Sequence, residues 1–179
     1  FAMVDGIVKV VMPFKPESFE SYDDHTFKMA VRFFPSFAKV MGLKNFLEMG
    51  MGFIPDLWQV IRGGIPKLFL LVEFTSDNEE EINEKLIKLK DALKNKKLRV
   101  SLAKNRKATK KYWTIRRESF NLLRKHVSGK HTAPFIDDII VNPEYFDEFL
   151  PRLIKILNEY PQLTYTIAGH VGDWNFHII

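Results

Sequence analysis

Two histidines, His170 and His177, flank the run Val171-Gly172-Asp173-Trp174-Asn175-Phe176 near the end of the chain. Gly172 and Asp173 are turn-forming residues, so the run reads as a hairpin with one imidazole on each strand, where flanking residues come side by side. Neutral imidazoles that converge on one point are good ligands for Zn, Fe or Mn, and a single imidazole is a competent base near neutral pH. By spacing alone, an ordinary Gly-Asp turn between two strands is the more economical reading.

Three further groups can carry chemistry. Arg116 and Arg117 sit in the helical-looking run Trp113-Thr114-Ile115-Arg116-Arg117-Glu118 and point about 100° apart, so one can face inward as a carboxylate clamp while its neighbour is solvated. A surface Arg-Arg-Glu with local ion pairing is the simpler alternative. Asp137 and Asp138 lie in the apolar run 135–141; adjacent strand residues face opposite ways, so one carboxylate is expected on the packed side with an arginine of the preceding helix as partner. Residues 94–111 hold nine basic side chains and no acidic one. That run has the footprint of a nucleic-acid or anionic-membrane contact, although the acidic stretch 77–84 just upstream and the absence of interleaved aromatic residues favour a solvated surface.

The elements that position these groups come from a chain of 179 residues, 46% hydrophobic, 27% charged and with a net charge of +5, enough for one core. The chain has no cysteine, which excludes disulfides, thiolate metal sites and cysteine nucleophiles and points to a cytoplasmic setting, with peripheral attachment to a membrane as the other option. No apolar run approaches the roughly 20 residues of a membrane span. The chain starts at Phe1 without Met and stops on Ile178-Ile179, so it reads as a piece of a longer protein.

Residues 6–14 are β-rich and predict a strand ending before Pro16. The apolar spacing over 26–41 predicts a helix broken at Pro35, and 45–64 is glycine-punctuated. A buried strand is expected at 68–74, then a helix over 78–94 capped by Ser76 or Asp77, a short strand at 99–103, and a helix over 108–127. A strand at 134–141, a helix from Pro143 to Tyr160, a strand at 163–169 and another from Asn175 complete the series. This order suits an α+β fold, a largely antiparallel sheet with helices packed on one face.

Gly6-Ile7-Val8 with Pro16, Leu71-Val72-Glu73-Phe74, Trp113-x-x-Arg116-Arg117, Asp137-Asp138-Ile139 with Pro143, and Gly169-His170-x-Gly172-Asp173-x-Asn175-x-His177 occur in this order. Together they resemble the C-terminal half of the FAD-linked oxidases, the group holding the glycolate oxidase flavin subunit, D-lactate dehydrogenase and D-2-hydroxyglutarate dehydrogenase. The resemblance implies a ferredoxin-like cap or substrate domain over residues 17–179, with residues 1–16 as the tail of an FAD-binding domain or a linker strand. It implies oxidation of a small D-2-hydroxy acid by hydride transfer to FAD held mainly by that other domain. His170 and His177 match the family's catalytic, metal-ligating histidines, for a Zn, Fe or Mn ion. Arg116 matches its carboxylate-binding arginine, with Arg117 beside it in the substrate site, and Asn175 and Trp174 fall beside the flavin. Trp174 stands where the family usually has glycine, Ile136 and Phe120 replace its lysine and threonine, and its glutamate-histidine segment is expected downstream of Ile179. The alternative is a small basic α+β module that binds nucleic acid or an anionic surface through residues 94–111.

Overall fold

The structure is a computed structural model and describes residues 3–32, 62–96, 98–103, 109–110, 112–117 and 138–178. Five strands, β1 (Ser18–Asp23), β2 (Leu68–Glu73), β3 (Ile139–Ile140), β4 (Ile167–His170) and β5 (Asn175–Ile178), form a sheet in the order β2-β1-β4-β5-β3. Every neighbouring pair is antiparallel. Four helices accompany it: α1 (Val4–Val11), α2 (Asp24–Arg32), α3 (Glu79–Ala92) and α4 (Phe146–Asn158). A further helical stretch covers 112–117. The fold is α+β with an antiparallel sheet, as expected.

The first element differs from expectation. Instead of a strand over 6–14, the chain forms α1 and then a 3-10 turn at Met12–Phe14. Val4, Ile7, Val8 and Val11 recur at helical spacing and all four are buried, so burial of that stripe overrides the β preference of its branched residues. Those side chains share one core with Leu89 and Leu93 at the end of α3 and with Phe146 and Leu150 of α4.

Strand register divides the sheet into two faces, because directly opposed residues of antiparallel strands point the same way. Phe19 of β1 lies opposite Val72, and Ser21 opposite Leu70. With Ile167 and Phe176, Phe19, Val72 and Leu70 meet α1, α3 and α4 in the core. The other face carries Glu20 opposite His170, Tyr22 opposite Ala168, and Ala168 opposite His177. Helices do not all lie on one side. Phe27 of α2 stacks on Phe69 at 5.0 Å, and Phe69 stacks on Tyr22 at 4.8 Å, so α2 adds its aromatic ring to the second face.

Asp23 joins three elements. Its Oδ1 accepts from the Thr26 amide and hydroxyl, both at 2.8 Å, and its Oδ2 accepts from the Ile167 amide at 3.0 Å, so one buried carboxylate ends β1, starts α2 and ties both to β4. Burial raises its pKa, outweighing the opposing hydrogen bonds from Thr26 and Ile167.

Boundaries shift where polar side chains choose them. α3 is capped by Asn78, whose side chain accepts from the Glu80 amide at 2.9 Å; Ser76 Oγ instead accepts from the Asn78 amide and donates to Glu81. Pro143 opens a 3-10 turn, Pro143–Tyr145, before α4 begins. Residues 99–103 and 163–166 are not in strands, and Arg99 donates to the carbonyls of Gly63 and Gly64 at 2.7 and 3.2 Å. The expected break at Pro35, the glycine-rich 45–61, most of the helix over 108–127, and 134–137 with Ile136 and Asp137 lie outside the described residues.

Candidate active site

Glu20 is the central residue of the second face, and the sequence reading missed it. Its side chain is 8% exposed. Oε1 lies 2.7 Å from His170 Nδ1, and Oε2 pairs with Arg116 Nη2. Backbone register sets the first contact, since β1 pairs Glu20 directly with His170. The helical stretch 112–117 supplies the second: Ile115 is buried, and Arg116, the next residue on the same helical stretch, reaches Glu20. Arg116 of this helix therefore pairs with Glu20, while Asp137, one of the two carboxylates expected to meet an arginine there, lies outside the described residues.

Asp138 sits at the other end of the site with its side chain 62% exposed, so it is the outward member of the Asp137-Asp138 step. It accepts from Asn175 Nδ2 and stands 3.6 Å from His177 Nδ1. Asn175 Oδ1 is buried and has no hydrogen-bond partner among the described residues. The two imidazoles are edge to face with ring centres 5.5 Å apart. They share a face but are not directly opposed: register puts His177 across from Ala168, making the histidines diagonal neighbours.

The connection between β4 and β5 explains how they come so near. A Cβ at Gly169 would fall 2.2 Å from the Asn175 carbonyl oxygen and 2.8 Å from Phe176 Cα, so only glycine permits this approach. The chain turns through a 3-10 segment, Val171–Asp173, and Trp174 closes it at φ 57, ψ 27. This is the left-handed conformation that glycine favours, held here by a tryptophan. Its indole packs edge-on against Phe146, ring centres 5.0 Å apart, and joins the core cluster. Packing against α4 is therefore its visible role.

Arg116 and Arg117 diverge as adjacent helical residues must. Arg116 has a side chain 20% exposed, whereas Arg117 is exposed and lines a shallow groove with Glu73, Thr109, Lys110 and Trp113. The pair does not form a double clamp at His170.

Each Nδ1 faces a carboxylate, an arrangement that commonly orients metal-binding imidazoles. Among the described residues, however, no three His, Cys, Asp or Glu side chains meet in a way that could hold an ion. The two imidazoles thus match only part of the donor set a divalent cation requires.

What the arrangement offers is an imidazole and a guanidinium held on one buried carboxylate, at a face where His170 has a side chain 46% exposed. Such a face can bind a small carboxylate and exchange a proton with it. No helix among the described residues is long and apolar enough to cross a membrane. Over 112 residues, 60% of its length, the chain is 29% identical to a protein named D-2-hydroxyglutarate dehydrogenase from Pseudomonas putida, of which the match covers 11%. Residues 9–179 match the family described as FAD linked oxidases, C-terminal domain. With a match that runs from the last turn of α1 through the histidine hairpin, the chain belongs to this family of C-terminal domains of FAD-linked oxidases.

Proposed function

We propose that the chain is the substrate domain of an FAD-dependent dehydrogenase that oxidises a small D-2-hydroxy acid. The observation that carries this reading is the sharing of Glu20 between His170 and Arg116, which holds a base and a carboxylate clamp on one face. The 2-hydroxyglutarate-type relative supports the same substrate class. The flavin, when bound, supplies the hydride acceptor. Arg116 holds the substrate carboxylate, since its five N–H donors let one guanidinium serve a protein carboxylate and a ligand carboxylate together. His170 takes the hydroxyl proton at Nε2. His177 lines the same face, and Asn175 lies next to it on the flavin side. A Zn, Fe or Mn ion would be held by His170 and His177 with donors outside the described residues, and no step is routed through it. The open side at His170 would be covered by the FAD-binding domain, which would exclude water from the reaction.

The test is steady-state kinetics of the full-length protein containing this chain, with D-lactate, glycolate and D-2-hydroxyglutarate and an artificial electron acceptor. Arg116→Met is expected to raise KM about 10- to 100-fold through loss of a charge-assisted contact. His170→Ala is expected to lower kcat by about 10²- to 10⁴-fold. Full activity of both variants, or no turnover of any 2-hydroxy acid by the wild type, would defeat the reading.

A further inference from the structure

We infer that Glu20 is a positioning residue that fixes His170 as its Nδ1–H tautomer, leaving the Nε2 lone pair facing outward, by sharing one carboxylate between the imidazole and Arg116. The tautomer stands or falls by itself; only the use made of Nε2 rests on the dehydrogenase reading.

The argument is one of donors and acceptors. An ionised carboxylate only accepts, so a nitrogen 2.7 Å from Oε1 must bring the proton. Arginine only donates, and its Nη2 forms an ion pair with Oε2, an oxygen that accepts no hydrogen bond of ordinary geometry among the described residues. The two oxygens therefore face two donors, and His170 Nδ1 is one of them. Burial of Glu20 strengthens both contacts relative to water. Geometry is set by the backbone: β1 is paired on one side with β2 and on the other with β4, with Glu20 directly across from His170. A side-chain substitution at Glu20 leaves that pairing available.

Glutamine in this place makes a sharp prediction, because its amide has one accepting oxygen and one donating nitrogen. Arg116 cannot give up a proton, so it claims the oxygen. The amide NH₂ then faces His170 Nδ1, which can accept only if the imidazole moves its proton to Nε2. Glu20→Gln should therefore reverse the tautomer without changing the fold. Removing the arginine as well frees the amide oxygen to turn back, so Glu20→Gln/Arg116→Met should restore Nδ1–H. A side chain that merely fills space predicts neither the reversal nor its rescue.

The experiment is long-range ¹H–¹⁵N correlation of the imidazoles in the 179-residue chain labelled in its five histidines, at about pH 8.5, above the ordinary histidine range. The His170 signals are assigned by their loss in His170→Gln. Expected are Nδ1–H in wild type, a shift of tenfold or more in tautomer ratio toward Nε2–H in Glu20→Gln, and its return in the double variant. Should Glu20→Gln fail to fold, Glu20→Asp, with both oxygens drawn back by one methylene, is expected to weaken the Nδ1–H preference. A wild-type Nε2–H tautomer overturns the inference, as does an unchanged ratio in folded Glu20→Gln or, where that variant does not fold, in Glu20→Asp. Neither result touches the kinetic test above, and failure of that test leaves the tautomer assignment intact.

Discussion

Asp24 opens α2 with two lysines on one oxygen, Lys28 at 2.7 Å and Lys67 at 3.1 Å. Burial works to raise the Asp24 pKa, but the hydrogen bonds and charges of Lys28 and Lys67 outweigh it and hold the carboxyl below its ordinary range. A carboxyl with a lowered folded-state pKa contributes stability above the unfolded value, and that contribution fades as pH falls through the folded one. Both lysines are more than half exposed, so the effect is small. Asp24→Asn should cost about 0.5–1 kcal/mol near neutral pH, and urea denaturation should show the gap narrowing below about pH 4. A gap that stays constant into acid would mean that the lysine pairing is not its source. Legibility at this scale follows partner distance. The inward turn of Arg116 could be read as a possibility from two adjacent arginines on a helix. Glu20 could not, because its partners lie 96 and 150 residues away and no local spacing encodes them. The available hint was an acidic residue between Phe19 and Tyr22, a position that aromatic neighbours tend to bury.

At the scale of elements, β2, α3, α4 and the β4–β5 hairpin were readable because each has an apolar period or a turn signal of its own. β1 has neither: Ser18, Glu20, Ser21 and Asp23 are polar, yet the strand is buried on both faces because Glu20 and Asp23 have specific partners. α1 was misread because the window opened at Gly6 and cut Val4 from the stripe that continues through Ile7, Val8 and Val11. The hairpin holds a local conflict that a substitution can resolve into two terms. Trp174 occupies a left-handed backbone at a cost of about 1–2 kcal/mol, but its indole packs against Phe146. Trp174→Gly relieves the first term and removes the second, which for a half-buried tryptophan is worth about 2–4 kcal/mol; the added backbone entropy of glycine opposes the gain as well. Packing should win, so thermal denaturation is expected to show a net loss of about 1–2 kcal/mol. A stabilised Trp174→Gly would mean that backbone strain outweighs the indole's contacts.

On the scale of the whole molecule, the division of labour between this domain and its cofactor can be argued from the helices. A flavin dinucleotide is commonly held by its diphosphate at a helix N-terminus approached through a glycine-rich turn, where backbone N–H groups and the helix dipole meet the anion. Here each of the four helices delimited among the described residues carries acid in its first turn: Asp5 in α1, Asp24 in α2, Glu79, Glu80 and Glu81 in α3, and Asp147 and Glu148 in α4. Those carboxylates already complement the dipole and would repel a diphosphate. The second face offers instead the sequence Glu20, His170 and Arg116, suited to a small carboxylate and not to a dinucleotide. The match to the 2-hydroxyglutarate-type relative covers a small part of that longer protein, which leaves ample chain there for a separate cofactor domain. The 179-residue chain, expressed by itself and passed through gel filtration after incubation with FAD, is therefore expected to emerge without flavin absorbance. If, as proposed, the chain works beside a separate FAD-binding domain, a protein holding both should retain about one flavin per chain. Stoichiometric yellow flavin on the isolated chain would overturn the division, and would place the dinucleotide site on this domain despite its acidic helix starts.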